Sequence, residues 1–469
     1  MDIRLAVLLA ALLTPACGLA AGTQPAHDYS QQPARQSPEW LREGVIYQVF
    51  PRVFSAGGNL EGVTAQLDRL QALGVDIVWL MPIHPQGVLK SKGPLGSPYA
   101  VRDYDAINPA YGTPADLHRL VEEAHRRGLK VIIDIVANHT SWDSVLMKHP
   151  DWYVHDAAGH VAPAREGWDD VAKLDYRNPQ LRRYMTGMLV NWLRGYNLDG
   201  FRCDVAGDVP TDFWEQARPE LERARPGLMM LAEAEQPDLL ASAFDADYSW
   251  SFYDALAAAI AGGAPASSLQ QAWQRSAAQF ERGALHMRFS DNHDEMRAIG
   301  QFGLPAAVAA SAIIFTMDGV PLLYNGMEVG DTAESGAPAL FERIPILWSI
   351  AERRPGLPAF YQQLIALRHA HRALTHGAVR WLHNGDESRI VSFERSEGAE
   401  QLVVTVNLSS VPFAGIVEAG AGDYQDITPD WQPIPASLAS GQPPRVAALP
   451  AVTLKPWEFR VFKRVAITH

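Results

Sequence analysis

The chain has 469 residues, 47% of them hydrophobic and 20% charged, which is the composition of an ordinary soluble globular protein. This length is sufficient for two or three domains, and a barrel of about 250 residues counts as one of them. The formal net charge of −13 argues against a nucleic-acid partner, because binding to phosphates requires basic patches. No polybasic segment indicates binding to an anionic lipid surface.

The N-terminus has the pattern of an export signal. Residues 5–13 form an apolar run that is too short to span a bilayer, and small residues suited to cleavage follow at 16–21. We therefore predict a signal peptide over residues 1–20 and a periplasmic or extracellular location, with no membrane span. Cys17 offers an alternative, the lipid-bearing cysteine of an outer-membrane lipoprotein, although residues 14–16 are a poor version of the usual preceding sequence.

Neither the two cysteines nor the segment after the predicted signal peptide indicates a chemical function. Cys17 and Cys203 are the two cysteines in the sequence. We expect no intramolecular disulfide, because Cys17 leaves with the leader or carries lipid. Residues 21–40 are polar and contain prolines, which is typical of a flexible linker.

From residue 44 onward, short apolar strands alternate with amphipathic helices such as 114–127 and 306–316. The strands are predicted over residues 45–50, 75–81, 130–137, 200–205, 227–232, 246–250, 285–289 and 320–324. Eight strands with intervening helices predict a (β/α)8 TIM barrel over residues 41–376. A doubly wound open sheet is the structural alternative, and the absence of a glycine-rich phosphate loop after the first strand argues against it.

Two further regions depart from the βα alternation. The connection after the third strand is too long for a plain βα unit and predicts a short inserted subdomain over residues 140–177, of the kind that often carries function. After the last barrel helix, short alternating strands such as 389–393, 402–406 and 459–462 predict a C-terminal all-β sandwich domain over residues 377–469.

The fourth predicted strand carries two opposite charges on one face. In the sequence GFRCDVA, Arg202 and Asp204 alternate with the apolar Phe201, Cys203 and Val205. Burying such charges is costly unless they are paired or used. A buried ion pair that holds the strands in register is the plain structural interpretation, and Cys203 on the other face is expected to pack against helices.

Other polar residues also fall at the C-terminal ends of predicted strands. They are Asp134 and His139 after the third strand, Glu233 after the fifth, and His293 and Asp294 after the seventh. Each acid alone is more readily explained as a solvated or paired carboxylate. Their shared position favours a functional site, because these strand ends meet at one mouth of a barrel.

Three carboxylates and two histidines on one rim suit glycoside hydrolysis. That reaction needs one carboxylic acid to protonate the leaving oxygen and one carboxylate to act as nucleophile or base. A metal hydrolase fits less well, because His139 and His293 lack the close spacing of HxH or HExxH motifs. Metal ligation from separate strands stays open, and we assign no metal ligand.

These stretches resemble the four signature regions of the α-amylase family, glycoside hydrolase family 13, in the same order and on the expected strands. Residues 74–82 and 319–328 resemble the second- and eighth-strand motifs of the family, and Gly96-Ser97-Pro98-Tyr99 resembles a further one. The resemblance covers the chain from about residue 44 to the C-terminus. It implies an α-glucan substrate and no cofactor for the chemistry, and we expect a monomer.

The resemblance also implies catalytic roles. Asp204 would be the nucleophile that forms a glycosyl-enzyme intermediate, and Glu233 the general acid and then base. Asp294 would bind the 2- and 3-hydroxyls of the distorted sugar. An apolar setting favours a protonated acid at Glu233, while Arg202 favours an ionised Asp204. Glu235 is a rival for the acid, and Glu233 is preferred because it closes the apolar run.

The remaining implied roles concern substrate binding. His139 and His293 would donate hydrogen bonds to the same glucose unit, Tyr99 would stack on its ring, and Asp134 would hold Arg202 in place. The inserted segment adds Trp142, Trp152 and Trp168, either as sugar-stacking platforms or as simple loop packing.

The chain departs from the family pattern after the nucleophile. Gly207 and Asp208 stand where family members often carry Lys-His. The lysine usually contacts the acceptor side of the substrate, so the balance of hydrolysis over transfer stays open. The histidine position commonly helps to bind a structural calcium through its backbone. Asn138 and Asp175 could contribute to that ion, so calcium is an open expectation.

From these observations we predict a secreted retaining glycosidase that cuts α-1,4-glucosidic bonds of starch, glycogen or maltooligosaccharides. The absence of an N-terminal β-domain makes the chain less like cyclomaltodextrinases and neopullulanases. An α-glucanotransferase or a cyclomaltodextrinase-like enzyme is the alternative. A non-catalytic α-glucan-binding protein is disfavoured, because Asp204, Glu233 and Asp294 are all present.

Overall fold

A computed structural model describes residues 27–333, 337–430 and 449–465 of the chain. The predicted signal peptide over residues 1–20 and Cys17 lie outside the described residues. Among the helices of the described part, none is long and apolar enough to cross a membrane.

The end of the predicted linker packs on the barrel. Arg35 forms ion pairs with Glu222 and with Asp245, the latter at 3.5 Å, and the Ser37 hydroxyl donates to the Asp245 carbonyl at 3.1 Å. The expectation of a flexible linker over residues 21–40 therefore needs correction from about residue 29 onward, because this segment finds charged partners on the barrel.

Ten strands belong to the barrel and its insert. They are β1 (Ile46–Val49), β2 (Ile77–Leu80), β3 (Lys130–Val136), β4 (His139–Ser141), β5 (Val171–Lys173), β6 (Gly200–Asp204), β7 (Met229–Ala232), β8 (Ala246–Tyr248), β9 (His286–Arg288) and β10 (Val320–Tyr324). Eight of them close a parallel barrel in the order β1-β10-β9-β8-β7-β6-β3-β2. The predicted (β/α)8 barrel is confirmed, and the open-sheet alternative is wrong.

Helices fill the connections between the strands. They are α1 (Glu39–Glu43), α2 (Pro51–Phe54), α3 (Leu60–Thr64), α4 (Leu67–Leu73), α5 (Pro114–Arg126), α6 (Pro179–Tyr196), α7 (Thr211–Ala224), α8 (Pro237–Ser242), α9 (Trp250–Ile260), α10 (Ser268–Gln279), α11 (Ala298–Phe302), α12 (Leu304–Thr316), α13 (Ala337–Phe341), α14 (Ile350–Arg353), α15 (Gly356–Ala370) and α16 (Arg372–Thr375).

Helix α5 shows why these segments are helical. Thr113 and Asp116 form a capping box, in which each side chain accepts from the backbone amide of the other, and Pro114 occupies the first helical position. The helix buries Leu117, Leu120, Val121 and Ala124, which share one face at helical spacing. Capping thus sets where the helix begins, and the apolar stripe holds it against the barrel.

The barrel strands have two buried faces. Residues such as Ile46, Trp79 and Leu231 form a cluster inside the barrel, whereas their neighbours in sequence pack against the surrounding helices. On β6, Phe201 and Cys203 belong to the outer cluster, as predicted for the apolar face of this strand. Arg202 and Asp204 therefore face the barrel interior.

The insert and the C-terminal region are built from antiparallel strands. Strands β4 and β5 pair in the insert, with His139 opposite Lys173. The C-terminal strands are β11 (Ala378–Trp381), β12 (Ile390–Glu397), β13 (Glu400–Asn407), β14 (Phe413–Ile416), β15 (Tyr424–Asp426), β16 (Ala451–Leu454) and β17 (Phe459–Arg464). A sheet β11-β12-β13-β17-β15 and a pair β14-β16 share one apolar cluster, which confirms the all-β prediction.

The start of β6 requires glycine. Gly200 has φ of 155°, and a Cβ atom there would lie 2.0 Å from the carbonyl oxygen of Met229 on β7. We expect Gly200→Ala to lower the free energy of unfolding by at least about 2 kcal/mol, because the two strands would have to separate.

Gly187 provides the matched control. It lies within α6, and a Cβ atom there would meet nothing within 4 Å. Gly187→Ala should raise stability by about 0.5–1 kcal/mol, since alanine loses less backbone entropy in a helix. Thermal melts of both variants measure the difference. Equal melting temperatures for Gly200→Ala and the wild type would contradict this account of the β6–β7 contact.

Candidate active site

A cavity of about 570 Å3 opens at the C-terminal ends of the barrel strands. Its lining consists of Lys92, Ser97, Tyr99, His139, Arg165, Trp168, Asp170, Val171, Asp204, Val205, Gly207, Asp208, Glu233, Ala234, Gln236, Trp250, His293, Asp294, Leu340 and Phe341. The structure thus brings together all three predicted catalytic carboxylates with the predicted substrate-binding residues Tyr99, His139 and His293. Arg202 lies fully buried beside them.

The guanidinium of Arg202 connects the carboxylates of the site. Its Nη1 donates to Asp134 Oδ1 at 2.8 Å and to Asp204 Oδ1 at 3.0 Å, and its Nη2 lies 2.9 Å from Glu233 Oε1. The predicted contact between Asp134 and Arg202 is therefore present. Arg202 does not serve Asp204 alone, however, because Glu233 shares the same cation.

The backbone after the nucleophile position directs Glu233. Val205 adopts a left-handed conformation, with φ of 43° and ψ of 44°, which is rare for a β-branched residue and costs about 1–3 kcal/mol. Its amide donates to Glu233 Oε2 at 2.7 Å. Both oxygens of Glu233 therefore have a partner on β6, and the carboxyl group is held beside Asp204.

Glu235 points away from this cluster. Its two carboxylate oxygens accept from the hydroxyl and the amide of Ser251, at 2.5 and 3.0 Å, in the first turn of α9. This is a helix-capping arrangement, in which an acid satisfies free backbone amides. The preference for Glu233 over Glu235 as the acid thus agrees with the geometry.

Burial opposes the ionisation of three acids in this cluster. Burial raises the pKa of Asp134 to about 7, against the opposing charge of Arg202. Burial, followed by the negative charge of Glu233, raises the pKa of Asp204 well above its usual value, and burial also raises the pKa of Asp294. The positive charge of Arg202 opposes the pKa shift of each of these three aspartates without cancelling it.

This result differs from the sequence expectation that Arg202 simply keeps Asp204 ionised. Arg202 does lower the pKa of Asp204, but desolvation and the neighbouring Glu233 act more strongly in the opposite direction. The physical reason is that Asp204 is removed from water and lies beside a second carboxylate.

The two histidines of the site are neutral. Burial lowers the pKa of His139 and of His293 to about 3. The Gln48 amide donates to His293 Nδ1 at 2.7 Å, so Nε2 carries the proton and donates to the Tyr99 hydroxyl at 2.6 Å. Tyr99 in turn donates to Asp134 at 3.2 Å and stacks on His293 at 5.4 Å between ring centroids.

The inserted subdomain forms one wall of the cavity. Trp168 lines the cavity. Its ring contacts the His139 ring edge to face, at 5.6 Å between centroids, and the Arg165 guanidinium lies 4.8 Å from the Trp168 ring centroid. Trp142 and Trp152 do not line the cavity. Trp152 is buried against His149, at 4.2 Å between ring centroids, so its role is loop packing. Of the three tryptophans, Trp168 alone faces the space where a sugar would stack.

The family model named "Alpha amylase, catalytic domain" matches residues 48–353. The chain belongs to the α-amylase family. Its barrel is an α-amylase-type glycosidase domain, in agreement with the motifs at the strand ends.

Individual members of the α-amylase family show the extent of the similarity. The chain is 30% identical to α-amylase MalA of Haloarcula japonica over 420 residues, which cover 84% of this chain and 60% of that protein. Neopullulanase 2 of Thermoactinomyces vulgaris is 29% identical, and the similarity covers 79% of this chain and 70% of that protein. A crystal structure of an α-amylase from Lactobacillus plantarum, 33% identical, superposes with a TM-score of 0.79 over 91% of this chain and 100% of that one. The chain therefore spans about 60% of the length of the haloarchaeal relative.

Several residues of this α-amylase-family site were not predicted from the sequence, and Gln48 and Trp250 are two of them. Gln48 is a fully buried polar residue in the apolar strand β1, and that contrast was the available signal. Trp250 lines the cavity and stacks on Tyr248, at 5.1 Å between ring centroids. Trp250 follows the sixth barrel strand, and no candidate catalytic acid in that segment indicated a functional role.

Glu233 and Glu235 form a matched pair for testing the general acid. We expect Glu233→Gln to reduce kcat on a maltooligosaccharide by about 100- to 10,000-fold, because the leaving oxygen would lose its proton donor. Glu235→Gln should stay within about threefold of the wild type, since its carboxylate caps α9 outside the cavity. Steady-state kinetics of the two variants decide between them, and the reverse ranking would make Glu235 the acid.

The acid limb of the pH profile tests the shared charge of the cluster. The pKa of Asp204 is raised, so protonation of this carboxylate should begin at a higher pH than for an ordinary aspartate. As the pH is lowered, kcat/KM should therefore start to fall above the ordinary pKa range of an aspartate. Glu233→Gln removes the negative charge that raises this pKa, so the limb should move to lower pH. A glycosyl fluoride, whose leaving group needs no proton, allows both enzymes to be compared. An unmoved limb would show that the two carboxylates do not interact.

Proposed function

We propose that the protein is a retaining α-glucosidic hydrolase that acts on α-1,4 bonds of short and cyclic maltooligosaccharides. The observation that carries this proposal is the pairing of Asp204 and Glu233 on one guanidinium, at 3.0 and 2.9 Å. Binding of both carboxyl groups to one cation favours the close spacing of a retaining pair. An inverting pair must leave room for a water molecule between them.

The reaction proceeds in two displacements at the anomeric carbon. Glu233 gives its proton to the glycosidic oxygen while Asp204 attacks, so that the bond to the leaving sugar breaks and a glycosyl ester forms. Glu233 then takes a proton from water, and the resulting hydroxide displaces Asp204 from the anomeric carbon. Two inversions return the product to the α configuration.

The other residues of the cavity orient the sugar. Neutral His139 donates from Nε2 to a sugar hydroxyl without adding a positive charge that would compete with Arg202. The single N–H of neutral His293 is engaged by the Tyr99 hydroxyl, so His293 positions that ring. Asp294, which is the most accessible of the acids, receives the hydroxyls of the distorted ring. Tyr99 provides an apolar face beside them, fixed by its hydrogen bonds to His293 and Asp134.

The preference for short and cyclic substrates rests on the relatives and on the cavity. Proteins named neopullulanase, cyclomaltodextrinase and intracellular maltogenic amylase are prominent among them. The insert, Leu340 and Phe341 form walls of the cavity of about 570 Å3, an enclosure that favours a short segment of glucan in this proposal. A starch-degrading α-amylase is the second candidate, supported by the names of the relatives from Haloarcula japonica and Lactobacillus plantarum.

A substrate panel with product stereochemistry tests the proposal. Initial rates on β-cyclodextrin, maltoheptaose, soluble starch and pullulan should give the highest kcat/KM for the first two. NMR of the earliest product should show the α-anomer. Products longer than maltoheptaose would reveal transfer to a sugar in place of water.

Asp204→Asn supplies the control for contaminating activity, because loss of the nucleophile should reduce every rate by at least about 1,000-fold. Faster cleavage of starch than of cyclodextrin would replace the substrate proposal with the second candidate. A β-anomer as first product would contradict the retaining mechanism, and an active Asp204→Asn variant would contradict the assignment of the nucleophile.

A further inference from the structure

One lysine connects the insert to the ends of two barrel strands. Lys173 lies on β5, directly opposite His139 in the β4–β5 pairing, and is half-buried. Its ammonium contacts Asn138 Oδ1 and the backbone carbonyl oxygen of Asp208, the latter at 3.1 Å. A single cation therefore connects the end of β3, the insert and the turn after β6.

These oxygens are the ones to which the family resemblance would assign a structural calcium. Calcium takes six to eight oxygen ligands at about 2.3–2.6 Å. Here an ammonium already occupies the space between Asn138 and Asp208, and its positive charge opposes a second cation. The third expected ligand, Asp175, is engaged by Arg177 through contacts of 2.7 to 3.0 Å. The donor set does not fit calcium.

We propose that Lys173 takes the structural place of the calcium ion and acts as a positioning residue for the catalytic rim. It replaces a multi-ligand metal site by one charge-assisted donor that bridges two of the same oxygens. The part of this proposal that concerns catalysis rests on the proposed function. The part that concerns calcium does not, and it is tested separately.

The first arm of the bridge sets the orientation of His139. An ammonium can only donate, so Asn138 must present its carbonyl oxygen to Lys173 and its amide group to the other side. That amide donates to His139 Nδ1 at 3.1 Å. The proton of His139 is thereby left on Nε2, which lies 4.0 Å from Asp204 Oδ2 and lines the cavity. Without Lys173, the Asn138 side chain is free to turn and present its oxygen to the imidazole.

The second arm holds the turn after the nucleophile. Lys173 binds the Asp208 carbonyl, while the Asp208 carboxylate pairs with Arg165 of the insert at 2.6 Å. Gly207 and Asp208 both line the cavity. The turn where this chain departs from the Lys-His of its relatives is thus fixed by two cations from the insert.

The wild-type protein provides the first test. Melting temperature and activity on maltoheptaose are measured with EDTA, with added CaCl2 and with neither. We expect all three conditions to give the same values, because the oxygens already have their cation. A melting temperature that falls in EDTA and recovers with calcium would overturn the replacement.

The second test converts the lysine into a metal ligand. Lys173→Asp places a carboxylate beside the Asn138 and Asp208 oxygens, so calcium should raise the melting temperature of this variant and restore part of its activity. Lys173→Met offers no ligand and should not respond. If Lys173→Asp folds only when refolded with calcium, the replacement is supported. A variant that ignores calcium, folded or not, would overturn it.

The third test isolates the positioning role. We expect Lys173→Met to lose about 10- to 100-fold in kcat/KM, the usual cost of removing a group that orients a ligand-binding histidine. Lys148→Met, an exposed lysine of the same insert, is the matched control and should behave as the wild type. Selective 15N-histidine NMR should show His139 protonated on Nε2 in the wild type and a mixture of tautomers in Lys173→Met. An unchanged tautomer together with unchanged kcat/KM would overturn the positioning role, even if the enzyme proved to act on other substrates.

Discussion

The site depends on one buried guanidinium. Arg202 is fully enclosed by the barrel, and its desolvation is offset by ion pairs with Asp134, Asp204 and Glu233 at 2.8 to 3.0 Å. Removing any one acid would leave the others around a cation that water cannot reach, and removing the arginine would leave adjacent carboxylates with no counter-charge. The positions of Asp204 and Glu233, the proposed nucleophile and acid, are therefore set by a group to which we assign no bond-breaking step.

Sharing one cation among several acids has a chemical consequence. Burial, followed by the negative charge of Glu233, raises the pKa of Asp204, and burial raises the pKa of Asp134, while Arg202 opposes both shifts. A retaining glycosidase works with one ionised carboxylate beside one protonated acid, so the competition between burial and one shared cation bears on the proposed mechanism. The neutral histidines add no positive charge around Arg202: His139 presents an uncharged donor to the cavity, and His293 holds the Tyr99 hydroxyl. Lys173, a second cation that belongs to the insert, orients His139 through Asn138.

The motifs at the strand ends were enough to predict the barrel and the members of its mouth. Each barrel strand is a short apolar run, and parallel strands must carry their C-terminal residues to one end. Beyond the contacts of Arg202 with Asp134 and Asp204, the motifs could not reveal which partner each side chain finds. The sequence offered Glu233 and Glu235 as near equals, and only the first turn of α9 shows that Glu235 caps a helix. The roles of Gln48 and Lys173 could not be recognised from the sequence. Their partners, His293 and Asn138, are distant from them along the chain, and no motif links either pair.

By itself, the sequence determined the (β/α)8 barrel, its C-terminal β region and the acids Asp204, Glu233 and Asp294, because these depend on local periodicity and on the direction of parallel strands. The tertiary structure alone decided the distribution of charge. Arg202 serves Asp134, Asp204 and Glu233 together, and the pKa values of Asp134 and Asp204 are raised by burial and by charges brought close by folding. Electrostatic energy depends on distances in space and on the exclusion of water, and neither can be read from the order of residues along the chain.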